Sequence, residues 1–217
     1  MHPQPVLDSL IHLSRELLLK PLCPICQQDV LTHKETSKAC SQCQQQLRLT
    51  HCGIEGDLPL PWKALGFYRG ALRNLLLRCR KDSDKSILRA LAKFLNPLLP
   101  NETLLIPIPS WKSKGNLTPL IIAQAMDFDS CNLLKRARPT IGQHRLNQVL
   151  RHSNQHNSFK VACNEAANIT NWNHHQAWIV DDILTTGATA IAAKKALVKY
   201  NIPVAGLICL ARTPAKE

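Results

Sequence analysis

The sequence predicts an α/β fold whose sheet is mainly parallel, with a small cysteine-rich segment ahead of it. Three apolar runs of strand length, at residues 104–109 (LLIPIP), 177–180 (AWIV) and 204–210 (VAGLICL), lack the polar alternation of a half-solvated strand. Stretches of helical composition separate these runs, and strands that alternate with helices favour a parallel sheet with right-handed crossovers. Paired cysteines between residues 23 and 43 predict an additional, metal-dependent unit.

The first element is a polar segment with two C-x-x-C pairs, Cys23 with Cys26 and Cys40 with Cys43, separated by thirteen residues. Each pair can present two thiolates to one ion, and the spacing is close to that of structural zinc sites. The intervening residues are too polar to form a core, so Zn²⁺ binding would supply the folding energy. The alternative is that the four are reduced, buried cysteines. His33 or His51 could replace one of the ligands, and Cys52 is left over as a possible relic of a second metal knuckle.

A stretch rich in glycine, proline and acidic residues follows at 53–61 (GIEGDLPLP) and predicts a linker between domains. After it we expect a short strand near residues 65–68, a helix from about Ala71, and another from Ile87 to Leu95. Basic residues outnumber acidic ones on these helices, which favours a phosphate-binding surface, although a solvated helix face has the same pattern. The candidates for nucleic-acid contact here are Arg78, Arg80 and Lys81.

Between the strands at 104–109 and 177–180 lies a basic stretch. Residues 137–157 contain no acidic side chain, and no hydrophobic period fits their centre. This composition predicts a mobile basic loop, or hood, over a binding site. Four arginines in and beside it are further candidates for nucleic-acid contact: Arg136, Arg138, Arg145 and Arg151.

The residues from Ala177 to Thr189 (AWIVDDILTTGAT) combine a buried strand, an acid pair (Asp181 and Asp182), a loop, and the start of a helix. Loops at the carboxyl ends of strands bind ligands in open α/β sheets. Glycine lets the backbone approach an anion, and the free N–H groups of a helix N-terminus favour negative charge. The acid pair would repel a phosphate and is suited to sugar hydroxyls or a magnesium-bound ligand. The candidate phosphate cradle is Thr185, Thr186, Gly187, Ala188 and Thr189.

Composition limits the class of protein. The 217 residues can bury one full core and a small appendage. The formal net charge of +12 points to a polyanionic partner, with nucleic acid the first candidate. No stretch is long and apolar enough to span a membrane, and charged residues interrupt the leucine-rich opening, unlike a secretory signal. We therefore expect a cytoplasmic protein whose cysteines bind metal rather than form disulfides.

The stretch from Ala177 to Thr189 closely resembles the phosphoribosyl-pyrophosphate (PRPP) motif of type I phosphoribosyltransferases. With the cysteine pairs and landmarks along nearly the whole chain, the sequence is similar to the ComF/GntX family, whose ComFC members are competence proteins. The further landmarks include Arg78-Cys79-Arg80-Lys81, Ile106-Pro107-Ile108-Pro109, Arg136-x-Arg138-x-Thr140-x-x-Gln143 and Leu210-Ala211-Arg212-Thr213.

The resemblance implies a type I phosphoribosyltransferase-like sheet flanked by helices. In that class of enzyme the acid pair holds the ribose 2′- and 3′-hydroxyls of PRPP, and the loop that corresponds to Thr185–Thr189 holds its 5′-phosphate. The loop after the strand at 104–109 would grip pyrophosphate with Mg²⁺, and Lys112 and Lys114 would be its charge partners. The resemblance also implies a cytoplasmic role in natural transformation beside single-stranded DNA. Other DNA-uptake proteins, such as a competence helicase, would then be partners.

Three classes of function stay open. They are a competence protein that binds PRPP and handles DNA, a metabolic phosphoribosyltransferase of nucleobase salvage, and a non-enzymatic DNA-binding adaptor that retains the PRPP motif. The cysteine knuckle and the acid-free stretch count against the second class, since a small neutral acceptor needs neither. The predicted organisation is a helix and zinc module at 1–52, a linker at 53–61 and a phosphoribosyltransferase-like domain at 62–217.

Overall fold

A computed structural model describes residues 22–30, 39–49, 52–82, 84–110, 116–137, 158–162 and 176–214. The strands in this part of the chain are β1 (Ile54–Gly56), β2 (Trp62–Phe67), β3 (Thr103–Pro107), β4 (Asp129–Ser130), β5 (Leu134–Arg136), β6 (Phe159–Val161), β7 (Gln176–Leu184) and β8 (Val204–Arg212). Six of them form one sheet in the order β1-β2-β8-β7-β3-β4. The pairing of β1 with β2 is antiparallel and the others are parallel. The predicted α/β fold with a mainly parallel sheet is therefore confirmed.

Helices connect the strands and begin at recognisable signals. The helices described are α1 (Ser41–Leu47), α2 (Gly70–Asp82), α3 (Lys85–Ala92), α4 (Thr118–Ala125) and α5 (Ala188–Val198), and a 3₁₀ helix (Lys93–Leu98) continues α3. The carboxylate of Asp84 caps α3 by accepting from the N–H groups of Ser86 and Ile87. In the described part of the chain, no helix has the length and apolar composition needed to cross a bilayer.

The central strands are apolar on both faces because both faces are covered. Leu105 and Val180 belong to a buried cluster that includes the leucines of α2 and α3 and Ile122 of α4. Their neighbours Ile106 and Ile179 belong to a second cluster, which includes the alanines and Leu197 of α5. Successive residues of a strand point to opposite faces, so a continuous apolar run is what a sheet between two helical layers requires.

Two short strands, β5 and β6, pair antiparallel outside the main sheet. Beyond them, the N–H group of Ala137 donates to the carbonyl of Ser158 at 2.9 Å. The described residues at the two ends of the predicted basic hood, Ala137 and Ser158, are therefore neighbours in the fold. Residues 138–157 themselves, with Arg138, Arg145 and Arg151, lie outside the described residues.

The predicted linker at 53–61 contains the edge strand β1, which pairs with β2 from Ile54 to Gly56. Ahead of it, Cys23 and Cys43 belong to the same buried cluster as Leu72 and Leu76 of α2. The division into two domains stays a prediction. The structure adds that the cysteine segment and the main sheet share one apolar core.

Candidate functional site

The acid pair lies near the carboxyl end of β7, between β3 and β8 in the sheet. The sequence suggested that the strand ends before the carboxylates, but β7 continues to Leu184. It does so because Ile183 and Leu184 still pair with Ala211 and Arg212 of β8. The carboxylates therefore project from ordered strand rather than from a loop. This position is where open α/β sheets place their ligand sites.

Asp182 is held by three hydrogen bonds. Its Oδ2 atom accepts from Nη2 of Arg80, in an ion pair, and from Nδ2 of Asn116 at 2.6 Å. Its Oδ1 atom accepts from the N–H group of Ile183 at 2.7 Å. The side chain of Asp182 is only 9% exposed, against 32% for that of Arg80. These three donors fix the position of the carboxylate at the carboxyl end of β7.

Asp181 has a different environment. Its Oδ1 atom accepts the N–H group of Asp182 at 2.9 Å. Burial, together with the negative charge of Asp182, raises the pKa of the Asp181 carboxyl well above its ordinary value, and the positive charge of Arg136 only partly opposes this shift. The two members of the acid pair are therefore not equivalent: Asp182 is paired with a cation, and Asp181 has a raised pKa.

Arg136 reaches the acid pair from β5. Its Nε atom donates to the carbonyl of Pro109 at 3.0 Å, and its guanidinium lies 4.2 Å from the ring centroid of Phe159. Burial lowers the pKa of Arg136, while the charge of Asp181 raises it. The sequence predicts that this residue contacts nucleic acid. The structure places it beside the carbonyl that follows β3, within the electrostatic reach of Asp181.

The candidate phosphate cradle lies between β7 and α5. Gly187 has a φ of 76° and immediately precedes α5, a conformation that glycine adopts without strain. The N–H group of Ala188 lies 3.4 Å from Oγ1 of Thr186, and Thr185, Thr186 and Thr189 are all partly exposed. The first N–H groups of an eleven-residue helix have no partner within the helix and attract anions. The loop therefore lies at a helix N-terminus, and its role as a phosphate cradle stays a prediction.

Arg212, for which the sequence indicated no role, fixes the backbone at the start of this cradle, and we call this contact the clamp. The guanidinium of Arg212 donates to the carbonyls of Leu184 and Thr185, and it lies 5.6 Å from the ring centroid of Trp62. The N–H group of Thr213 adds a hydrogen bond of 2.9 Å to the carbonyl of Leu184. The end of β8 therefore fixes the backbone from which the cradle starts.

Asn116 joins a second loop to the acid pair. While its Nδ2 atom binds Asp182, its Oδ1 atom accepts the N–H group of Thr118 at the start of α4, at 3.1 Å. It is the last residue of the loop that the resemblance assigns to pyrophosphate. Lys112 and Lys114 of that loop lie outside the described residues. The sequence predicted no role for Asn116, because it does not show which distant group an asparagine side chain will bind.

The basic residues of α2 separate into two groups. Arg78 and Lys81 are exposed, as a nucleic-acid contact requires. Arg80, predicted to act with them, instead pairs with Asp182 at the carboxyl end of the sheet. One helix therefore carries both an outward-facing positive surface and the counter-ion of the acid pair.

The four predicted metal ligands meet in one cluster. The sulfur atoms of Cys23, Cys26, Cys40 and Cys43 all lie within 4.8 Å of one another. Sγ of Cys23 is 3.9 Å from that of Cys43, and Sγ of Cys26 is 3.8 Å from that of Cys40. Tetrahedral zinc with Zn–S bonds of about 2.3 Å requires sulfur–sulfur distances of about 3.8 Å. The cluster can therefore hold a metal ion such as zinc.

The thiols of the cluster differ in acidity. Burial opposes ionisation of Cys23, but backbone N–H groups around its sulfur bring the pKa of Cys23 down to about 7. One of these donors is the N–H group of Cys40, 3.4 Å from Sγ of Cys23. Burial and the neighbouring sulfurs raise the pKa of Cys43. The thiolate of Cys23 therefore forms readily, and a bound cation would favour ionisation of Cys43. Cys52 is exposed and does not belong to the cluster, and His33 and His51 lie outside the described residues.

No family model matches the chain. The chain is similar to the DNA utilization protein YhgH of Escherichia coli O157:H7, with 25% identity over 215 residues that cover 88% of this chain and 90% of the relative. The proteins of the same name from Shigella flexneri and from Escherichia coli strain K12 have the same identity and coverage. The similarity therefore extends over most of the chain rather than over one motif.

Proposed function

We propose that the chain binds PRPP through a type I phosphoribosyltransferase-like site and acts in the uptake or use of DNA. The observation that supports the first part is the succession of β7, acid pair, Gly187 and α5, in which carboxylates precede a helix N-terminus. A ribose 5-phosphate has hydroxyls at one end and a phosphate at the other, and this pair of groups complements both. Anchoring both ends of a small ligand fixes its orientation.

Mg²⁺ enters this site as part of the substrate. Asp182 already accepts three hydrogen bonds from protein donors, so this carboxylate has little capacity left for a cation. We therefore propose that the pyrophosphate oxygens of PRPP carry the ion. Asp181, whose Oδ1 atom accepts a backbone N–H group, keeps its second oxygen for a sugar hydroxyl.

Calorimetric titration with Mg²⁺-PRPP, with and without single-stranded DNA, tests this proposal. The wild-type chain should bind, and a variant with Asp181→Asn and Asp182→Asn should lose binding while it stays folded by circular dichroism. Normal binding by the double variant would overturn the site assignment. Release of pyrophosphate in the presence of a free nucleobase would instead identify a salvage transferase.

A second candidate is a DNA-binding module in which the acid pair is structural. It is favoured by the commitment of Asp182 to Arg80 and Asn116, which gives this carboxylate a role without any ligand. The name of the relatives, DNA utilization protein, supports a DNA-related role under both candidates. DNA binding by the wild-type chain without any PRPP binding would decide for this second candidate.

The exposed face of α2 is the proposed contact for single-stranded DNA. Replacing Arg78 and Lys81 by alanine should weaken binding and reduce the slope of log affinity against log salt by about 0.7 for each phosphate that is no longer neutralised. Lys195→Ala, which removes an exposed charge from the last turn of α5, is the matched control. Equal weakening in both variants would indicate a general charge effect rather than a surface on α2.

Zinc is the proposed occupant of the cysteine cluster, with a structural role. Four thiolates complete a tetrahedral shell and leave no position for a substrate. Metal analysis of the purified chain should find about one zinc ion, and Cys43→Ser should lose it. A chain that folds and binds its ligands fully without metal would contradict this role.

A further inference from the structure

Arg80 occupies a position where the helix pattern calls for an apolar residue. Leu72 and Leu76, eight and four residues before it, are buried on the face of α2 that packs against the sheet. Residues four apart share a helix face, so the exposed Arg80 lies at the end of this stripe, one residue after the buried Cys79. There it meets Asp182, 102 residues away in sequence. A charge in such a place costs desolvation free energy, and its partner must compensate.

Asp182 does not depend on Arg80 alone. Without the guanidinium, its Oδ1 atom would keep the N–H group of Ile183 and its Oδ2 atom would keep Nδ2 of Asn116. A neutral O–H donor could therefore take the place of the guanidinium at Oδ2 and leave the carboxylate satisfied. Sugar hydroxyls are donors of this kind.

Arg80 is also available to an incoming anion. Its side chain is 32% exposed, and its hydrogen bond to Asp182 engages one of the five N–H donors of a guanidinium. Guanidinium groups bind phosphate oxygens in the same forked manner as carboxylates. In PRPP the pyrophosphate is attached to C1, next to the hydroxyl on C2. In the pose proposed here Asp182 accepts the hydroxyl on C2, which sets Arg80 beside the C1 substituent.

From these contacts we infer that Arg80 is a specificity-determining residue that exchanges partners, from Asp182 in the free protein to the C1 pyrophosphate of the bound ligand. This inference rests on the proposed function. The exchange is balanced in charge: the carboxylate gains sugar hydroxyls, and the guanidinium gains phosphate oxygens in place of the carboxylate. It selects sugar phosphates with an anionic group at C1 over those without one, and it keeps the acid pair neutralised while the site is empty.

The test compares the affinities of Mg²⁺-PRPP and ribose 5-phosphate for the wild-type chain, Arg80→Ala and Arg80→Lys. Removing a charge-assisted hydrogen bond should weaken PRPP about tenfold to a hundredfold in Arg80→Ala. Ribose 5-phosphate should bind this variant as tightly as the wild type, or more tightly, because Asp182 is released. Arg80→Lys, which keeps the charge but loses the fork, should lie between the two. Arg89→Ala, at an exposed basic residue of α3, should leave both affinities unchanged.

The outcomes separate this inference from the proposed function. Absence of wild-type binding to both ligands would overturn the proposed function and this inference with it. Wild-type binding to both, with equal weakening of the two ligands in Arg80→Ala, would overturn the inference alone, because Arg80 would then only support Asp182. If Arg80→Ala does not fold, the ratio of the two affinities in Arg80→Lys decides, since a supporting role leaves that ratio at the wild-type value.

Discussion

Pro59 packs directly against Gly187, so that the Cγ atom of Pro59 fills the space where a β-carbon at position 187 would stand. The contact joins the turn between β1 and β2 to the candidate phosphate cradle. Gly187→Ala should therefore lower the free energy of unfolding by about 2 to 5 kcal/mol, the sum of the left-handed backbone conformation and the overpacking. Urea unfolding measures the change, and titration with ribose 5-phosphate should show weaker binding.

Gly70→Ala is the matched control for this prediction. Gly70 has a φ of 54°, close to the backbone conformation of Gly187, but a β-carbon there would meet no heavy atom within 4 Å. The control should lose only the backbone contribution of about 1 to 2 kcal/mol. If both variants lose the same free energy, the contact between Pro59 and Gly187 contributes nothing.

Replacing Asp181 by asparagine should stabilise the ligand-free protein at neutral pH. The pKa of Asp181 is raised in the folded state above its ordinary value of 3.8, so the folded chain holds this proton more tightly than the unfolded chain. The free energy of unfolding therefore falls as pH rises from the ordinary pKa to the folded one, and the penalty is complete above the latter. Asp181→Asn should remove this fall. Urea unfolding of the wild type and of Asp181→Asn from pH 4 to pH 8 measures this difference. Equal slopes of the free energy of unfolding against pH would contradict the prediction.

Arg212→Lys should weaken the contacts that fix the backbone at the start of the phosphate cradle. Both hydrogen bonds come from Nη1 of the guanidinium, and lysine loses the planar group that holds this atom in place over the ring of Trp62. We expect a loss of about 1 to 3 kcal/mol in the free energy of unfolding. Faster amide exchange of residues 184–188 should accompany it. Arg69→Lys changes an exposed arginine that lies over the ring of Phe67, and it should leave that exchange as it is. Equal exchange in wild type and Arg212→Lys would refute the clamp.

Removal of metal from the cysteine cluster should affect α2 as well as its own segment. Cys23 and Cys43 share a buried cluster with Leu72 and Leu76, so loss of the ion exposes one side of this helix. Hydrogen exchange after chelation should show faster amides at 70–82. Cys52→Ser, at an exposed cysteine outside the cluster, should behave as wild type before and after chelation. Changes confined to 22–49 would mean that α2 is stable without the cysteine segment.

The order of elements around the acid pair could be predicted because each element has a local signal. The apolar run, the adjacent carboxylates, the glycine and the alanine-rich helix all lie within one continuous stretch, and the structure has them in that order. The cysteine cluster could be predicted for the same reason, since paired thiols at a fixed spacing have few other uses. The end of β7 could not, because only the pairing with β8 shows that Ile183 and Leu184 belong to the strand.

The partner of Arg80 could not be predicted, since nothing local distinguishes a side chain that bonds 102 residues away from one in solvent. Charge counting therefore groups it with Arg78 and Lys81. The spacing from Leu72 and Leu76 is a usable signal, because residues four apart share a helix face and these two leucines are buried. The edge strand β1 has no sequence signal, because three residues are too few for a visible alternation. Its glycine and the one before it also favour a linker.

The place of β8 in the sheet has a consequence for how the protein is made. Among the described strands β8 is the last in sequence, yet it lies between β2 and β7 and joins the two halves of the sheet. A nascent chain that has not yet reached residues 204–212 exposes the open edges of β2 and β7. Such edges pair readily with other chains. A chain that lacks β8 should therefore aggregate more readily than the complete chain.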